Sequence, residues 1–196
     1  VRNIFHECFE LTELDLSHWD TSNCTNLYGI FNKCTKLQKV NLASWDTSQG
    51  TDLGYMFNFC SSLKELDLSH FNVTKAERMH WMFCGCTNLE KLNVSTWYTP
   101  KLQNCLNMFE LCESLVELDV SLFYTNGATD IDNMFLKCTN LEVLDISNFH
   151  FGGIKQNENL CSLMFLDCSK LKHISMIYCR PSSFNTLQSA FNRLEP

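Results

Sequence analysis

Cysteine is the residue type in this chain that could do the most varied chemistry, because thiols can form disulfides, bind zinc or pack as small apolar groups. Seven of the 12 cysteines recur at a regular spacing: Cys8, Cys34, Cys60, Cys86, Cys112, Cys138 and Cys168. If neighbouring helices carry them, these thiols lie about 8–10 Å apart, whereas a disulfide needs Cα atoms within about 7 Å. We therefore predict buried, reduced thiols.

The group His80, Cys84 and Cys86 is the local cluster whose residue types could bind zinc. However, Cys86 belongs to the regular cysteine series, and no second Cys/His pair completes four ligands. Ser, His and Asp do not occupy corresponding places in adjacent units, and no glycine-rich phosphate loop is present. The sequence therefore predicts no metal site, no cofactor and no catalytic activity.

The cysteine spacing belongs to a repeat that runs through almost the whole chain. A Phe precedes each of the seven cysteines by three residues, and the interval between these Phe residues is 26, except for one interval of 30. Such a period is the signature of a solenoid, whose units bury their apolar faces on their neighbours. We expect residues 1–196 to form one repeat domain of about seven units and to be an internal piece of a longer chain. The units begin near Phe5, Phe31, Phe57, Phe83, Phe109, Phe135 and Phe165, with a partial unit from Phe191.

Each unit contains two different apolar periods. Residues 53–60 carry apolar side chains at i, i+3, i+4 and i+7, which predicts a short amphipathic helix. The period then changes to two, so that Leu66 and Leu68 point into the core and Glu65 and Asp67 point to solvent. Strands joined by long crossovers must pair in parallel. The expected fold is therefore an α/β solenoid with one short parallel strand and one short helix per repeat.

The pattern M-F-x-x-C-x-x-L-x-x-L-D-L-S resembles the BspA-like leucine-rich repeats of mycoplasma and other bacterial surface proteins, over residues 3 to about 194. The resemblance implies a right-handed solenoid in a surface-exposed protein that adheres to or recognises partners. The chain departs from the pattern at 174–181, which lose the L-D-L-S motif, and at 150–157, where the sixth unit has four extra residues. The insertion predicts a surface loop, which is either part of a binding face or neutral.

Composition gives weaker evidence about the partners and the cellular compartment than the repeat gives about the fold. The net charge of −7 argues against nucleic acid, whose binding depends on clustered Lys and Arg. No run of about 20 apolar residues is present, so we expect no membrane insertion. The resemblance implies a cell-surface or secreted protein, whereas many free thiols suit a reducing intracellular compartment. Both locations stay open.

Two polar columns on the predicted strands are the candidate partner-binding site. The first alternates in charge, and the second contains Asp or Asn, which could bind cations but fits better as the acceptor of an Asx turn. The alternation could equally be an ion-pair ladder between neighbouring strands. The candidate residues are Glu13, Lys39, Glu65, Asp67, Lys91, Asn93, Glu117 and Asp119.

We expect this strand face, which leucine-rich-repeat proteins present as a continuous concave surface, to serve non-catalytic protein–protein recognition in an adhesion-type surface protein. The alternative is a structural scaffold or cement subunit of a large assembly. Association is also expected through the ends, where Ile4, Phe5, Phe191 and Leu194 belong to core columns but have no further unit to cover them.

Overall fold

One short strand forms in each unit of the solenoid. The computed structural model describes residues 1–151, 161, 163–179, 188, 190 and 191. Within these residues the strands are β1 Glu13–Asp15, β2 Lys39–Asn41, β3 Glu65–Asp67, β4 Lys91–Asn93, β5 Glu117–Asp119, β6 Val143–Asp145 and β7 His173–Ser175. In β3, β4 and β5 the central Leu is buried and the flanking residues are exposed, as the period of two predicts.

The strands pair in parallel, and equivalent residues of successive units stand opposite one another. Glu65 pairs with Lys91 and Leu66 with Leu92, for example. Pairing is not continuous, however: the described strands form the sheets β1-β2, β3-β4 and β5-β6-β7. The expectation of an unbroken strand face is therefore wrong at two places, between β2 and β3 and between β4 and β5.

The predicted helix does not form in most units. Residues 1–151 contain no helix, and residues 53–60 are a series of turns instead; of the described residues, only 188, 190 and 191, in the last partial unit, are helical. Tyr55 and Phe59 have positive φ angles of 58° and 53°, which a right-handed helix cannot accommodate. The stripe of apolar residues is real, because Leu53, Met56 and Phe57 are fully buried. Apolar residues spaced at i, i+3, i+4 and i+7 can therefore be buried by a series of turns as well as by a helix.

Hydrogen bonds to the next unit replace those of a helix. Leu53, Tyr55 and Phe57 donate their backbone N–H groups to carbonyl oxygens 25 residues further along the chain, at 2.9–3.0 Å. The residues between them bond locally, as in Asn58 N–H to the Tyr55 carbonyl at 3.1 Å. We call residues 53–60 and their counterparts in the other units the turn layer. Its backbone is satisfied only in the presence of neighbouring units, in accord with a solenoid.

Two stacks of aromatic rings run through the core. The Phe residues that open the units stack with ring centroids 5.2–5.9 Å apart, from Phe5 to Phe191. A second stack, from Trp19 to Phe149, follows the strands at 6.1–6.5 Å. Ile4 is 46% exposed at the first unit, as expected, whereas Leu194 and most of 150–157 lie outside the described residues.

Candidate functional site

The eight candidate residues share one surface, which we call the strand face. All of them lie on β1 to β5 with their side chains exposed, on either side of a central apolar residue that anchors the strand in the core. The positions follow from the alternation of the strands and from the in-register pairing of units. The structure therefore places these residues in two adjacent polar columns, which the break in pairing between β2 and β3 interrupts.

The charged column contains an ion pair between β3 and β4. Lys91 Nζ lies 2.6 Å from Glu65 Oε1, and this hydrogen bond raises the pKa of Lys91. Glu13 stands opposite Lys39 in the same register. Among the described residues, Lys91–Glu65 is the one ion pair in this column, so the charged residues do not form a continuous ladder.

The Asp/Asn column forms the corner where each strand ends. Asp67 Oδ1 accepts the Ser69 N–H at 2.9 Å, and Asp119 accepts the Ser121 N–H at the same distance. The interaction recurs in the first six units, which confirms the Asx role. The Ser69 N–H holds the pKa of Asp67 below its usual range. These oxygens therefore shape the backbone, and their exposed outer edges remain available to a partner.

Two further corners use the same device, which the sequence reasoning missed. Asp46 accepts the Ser48 N–H at 2.8 Å, and Asp52 accepts the Gly54 N–H at 3.1 Å. For Asp46 the signal was visible in the D-T-S that follows the aromatic column in the first two units. Unit two thus turns at three Asx corners, formed by Asn41, Asp46 and Asp52.

A cleft interrupts the strand face between β2 and β3. No Cα atom of β2 lies within 8 Å of a Cα atom of β3, and both strands are described completely. The cleft has a volume of about 470 Å³. It is lined by Val40, Asn41, Leu42, Ala43, Glu65, Leu66, Asp67, Leu68 and His70. The sequence gives no sign of this opening, because units two and three follow the same pattern as the others.

From Cys34 to Cys168 the regularly spaced thiols are buried and have a structural partner, whereas Cys8 in the first unit is half-buried. Cys86 Sγ donates to the Phe57 carbonyl at 3.1 Å, and equivalent bonds of 3.0–3.2 Å recur from Cys34 to Cys168. Burial raises the pKa of Cys34 to about 11 and that of Cys86 to about 12. These thiols are therefore poor nucleophiles at neutral pH.

The residues of the possible zinc group have other surroundings. Cys84 and Cys86 are fully buried, and Cys84 Sγ lies 3.7 Å from Glu110 Oε2. His80 packs instead among Tyr28, Tyr55 and their neighbours on the outer side of the turn layer. Within the described part of the chain, no group of three or more His, Cys, Asp or Glu side chains could hold a metal ion.

An aromatic cluster on the turn layer was not foreseen. The Tyr55 ring lies 5.2 Å from Tyr28, 5.3 Å from His80 and 5.9 Å from Trp81, measured between centroids. Arg2 covers the outer ring of Tyr28 at 4.6 Å. The cluster is half-buried and lies in units one to four, away from the strand residues. It gives the solenoid a second distinctive surface.

The repeat matches a known protein family. The family DUF285, described as "Mycoplasma protein of unknown function", matches residues 1–115 and again residues 85–194. The chain belongs to this family. The two matches overlap and together span almost all units, so the DUF285 pattern covers the strand face and the turn layer alike. Among curated proteins, no sequence matches the chain.

Solved structures with similarity to this DUF285 chain include leucine-rich-repeat proteins. A complex of TLR13 with ssRNA13 is 24% identical over 91% of this chain, with a TM-score of 0.48. A leucine-rich repeat protein from Bacteroides ovatus is 17% identical over 89%, with a TM-score of 0.31. This chain spans 24% of the first structure's chain and 63% of the second's.

In the part of the DUF285 chain that the structure describes, no helix has the length and apolar character needed to cross a bilayer.

Proposed function

We propose that this chain is a non-catalytic protein-recognition module of the leucine-rich-repeat type, and that it binds its partner through the strand face. The observation that carries the proposal is the exposure of all eight candidate residues on one surface above a buried core. Polar side chains held by rigid elements can recognise a partner at little cost in conformational entropy. The resemblance to BspA-like repeats adds an adhesion-type protein at the cell surface or in secreted form.

The charge pattern defines the kind of recognition. Positive and negative side chains alternate in the charged column, but Asp67 and Asp119 in the second column make the face acidic, with five carboxylates against two ammonium groups among the eight candidate residues. The face should therefore favour partners with basic side chains, and the affinity should fall as salt screens these charges. The net charge of −7 makes nucleic acid an unfavourable partner.

The aromatic cluster supports one alternative, in which the chain is a scaffold or cement subunit. A scaffold contacts partners on several faces, and Tyr28, Tyr55 and Trp81 give the turn layer a surface rich in residue types that are common at interfaces. This reading predicts that partners contact the turn layer as well as the strand face.

Site-specific photo-cross-linking in the producing cells tests the proposal. A benzophenone side chain replaces Glu117 on the strand face or, as the control, Lys137 on the turn layer; both positions are exposed. We expect covalent protein adducts from the Glu117 variant and none from the Lys137 variant. Adducts at both positions would favour the scaffold, and adducts at Lys137 alone would exclude the strand face.

A charge swap then tests which residues carry recognition. Glu65→Lys combined with Lys91→Glu keeps the pair within the sheet but inverts every contact to a partner. We expect loss of the Glu117 adduct with an unchanged Tm. Retention of the adduct in a folded double variant would show that this pair is not part of the recognition surface.

A further inference from the structure

The distance between β2 and β3 exceeds what a paired sheet allows. Hydrogen-bonded strands lie about 4.8 Å apart, so two strands that flank a third are separated by about 9.6 Å. All Cα atoms of β2 and β3 are more than 8 Å apart, which is too far for direct pairing. The separation of the two walls is therefore compatible with an intervening strand.

Both walls of the cleft present backbone groups of the right kind. β1 bonds to the backbone of Lys39 and Asn41, as in Lys39 N–H to the Thr12 carbonyl and Leu16 N–H to the Asn41 carbonyl. In a parallel strand, alternate residues bond to opposite neighbours, so the N–H and C=O of Val40 point towards β3.

The opposite wall follows the same rule. Lys91 N–H bonds to the Lys64 carbonyl and Leu68 N–H to the Asn93 carbonyl, which directs the backbone groups of Glu65 and Asp67 towards β2. Across the cleft, in the part of the chain that the structure describes, Val40, Glu65 and Asp67 have no backbone partner. Open strand edges are templates for an added strand.

The opening is local, because units two and three are in close contact on both sides of it. The Phe31 and Phe57 rings lie 5.2 Å apart, the shortest distance in the first stack. Beyond the strands, Thr47 Oγ1 donates to the Asn72 carbonyl at 3.0 Å. His70 Nε2 lies 3.0 Å from the Leu42 carbonyl oxygen and closes one end of the cleft. These contacts hold the walls in place while the strand edges remain apart.

The lining specifies the side chains of an inserted strand. Its floor is apolar, formed by Val40, Leu42 and Leu66, whereas Glu65 and Asp67 stand at its mouth. The lining contains two carboxylates and no Lys or Arg; Lys39 lies on β2 outside it. Glu65 is already paired with Lys91, so Asp67 supplies most of the negative charge that the cleft presents. A strand whose inward residues are small and apolar would match the apolar floor, and basic outward residues would match the carboxylates at the mouth.

We infer that the β2–β3 cleft binds an extended, basic peptide segment of a partner protein as an additional strand, bonded to Val40 on one side and to Glu65 and Asp67 on the other. The inference rests on the proposed function, because it names the place on the strand face where a partner's chain enters. The open edges on two sides distinguish a peptide from other ligands, since a main chain alternates N–H and C=O at the spacing of the strands.

The test uses the capped peptide Lys-Val-Lys-Val-Lys-Val as the probe and amide hydrogen exchange measured by NMR as the readout. We expect saturating peptide to slow exchange at the amides of Val40, Glu65 and Asp67. Two analogues, N-methylated at the odd or the even residues, each lack the donors for one wall and should bind at least tenfold more weakly. No protection at these amides with 1 mM peptide, or equal binding of the methylated analogues, would overturn the inference.

A matched pair of variants tests the acidic contribution. Asp67→Asn and Asp145→Asn make the same change in the same column and keep the acceptor of the Asx turn, but only Asp67 lines the cleft. We expect about a twofold to fivefold loss of peptide affinity in Asp67→Asn, the size of an exposed charge interaction, and no change in Asp145→Asn. Equal affinities of the two variants would contradict the assigned site.

The outcomes separate this inference from the proposed function. If Glu117 cross-links a partner but the peptide protects none of the three amides, the strand face recognises proteins without inserting a strand. If the peptide binds in the cleft but Glu117 gives no adduct, the cleft binds peptides and the wider strand face takes no part.

Discussion

The turn layer and the strand face of this solenoid differ in continuity, although both repeat with the same period. The rings of the first stack follow one another at 5.2–5.9 Å from Phe5 to Phe191. The strands, in contrast, separate into three sheets. In the turn layer, backbone bonds, buried rings and thiols all cross the boundary between units, whereas the backbone pairing of the strands stops between β2 and β3 and between β4 and β5. The comparison indicates that the turn layer holds the units together and leaves the strand face free to vary.

The largest expected effect comes from alkaline pH, which acts on the thiols of the turn layer. Burial raises the pKa of Cys86 from 9.0 to about 12 and that of Cys34 to about 11. Above pH 9 the unfolded chain loses protons that the native thiols retain, so the free energy of unfolding falls as pH rises towards these folded-state values. Each such thiol contributes a loss of about 1.4 kcal/mol per pH unit. Urea unfolding between pH 9 and 11 measures the slope.

Cys86→Ala is the control for this prediction, because it removes one titrating group and leaves the others. The variant should be less stable at pH 7, since it loses the bond to the Phe57 carbonyl, but its stability should fall less steeply with pH. A slope equal to that of the parent chain would show that Cys86 is not a protonated buried thiol.

Truncation of a ring in the first stack should have the next largest effect. Phe83→Ala removes a fully buried side chain stacked between Phe57 and Phe109 and should lower the free energy of unfolding by about 3–5 kcal/mol. Phe9→Ala makes the same change at a residue that is 48% exposed, and should cost far less. Chemical denaturation compares the two; similar losses would mean that the stack does not hold the units together.

Leu92→Ala measures how much a buried residue of the strands contributes to stability. Leu92 is buried in the centre of β4, and its truncation leaves a cavity that should cost about 2–5 kcal/mol. Because β4 pairs only with β3, the cavity can relax more easily than one in the turn layer, so we expect a smaller loss than for Phe83→Ala. A larger loss than for Phe83→Ala would show that the strand side contributes more to stability than the turn layer.

The smallest effect concerns backbone strain in the turn layer. Lys137 is exposed and has a φ of 61°, so Lys137→Gly should raise the free energy of unfolding by up to about 1 kcal/mol. Lys64→Gly is the same substitution at an exposed residue without a positive φ, and should lower it by roughly 0.5–1 kcal/mol. Thermal unfolding of both variants shows the sign; destabilisation by Lys137→Gly would contradict the assigned conformation.

The strands and their register could be predicted from the sequence, because a period of two leaves one choice of inward residue and the repeat aligns the units. The turn layer could not, since its apolar spacing is compatible with a helix. A signal against the helix was present two residues before the Phe, where four of the units have residues that tolerate positive φ. These are Asn3, Gly29, Asn107 and Asn133. Two residues after the Phe, Gly85 is the one glycine, so the residue types at that position did not indicate a positive φ.

Of the candidate site, the sequence predicted the exposed residues and the corner role of Asp67 and Asn93, but not the cleft. Alternation fixes which side chains face outward, and the acceptor oxygen shared by Asp and Asn indicates an Asx turn. The separation of β2 from β3 depends on how two whole units pack, and no local pattern records it.

The direction of the hydrogen bonds in the turn layer gives the solenoid a polarity. Leu53, Tyr55 and Phe57, and the equivalent alternate residues of the other units, donate their N–H groups to carbonyls of the following unit. One side of every unit therefore offers donors and the other side acceptors. Two copies could join through this layer only head to tail, because a two-fold symmetric junction would place carbonyl against carbonyl. A head-to-tail junction forms a closed ring only if the rotation between successive copies adds up to a full turn. Otherwise it forms an open filament, and in neither case is the product a two-fold symmetric dimer.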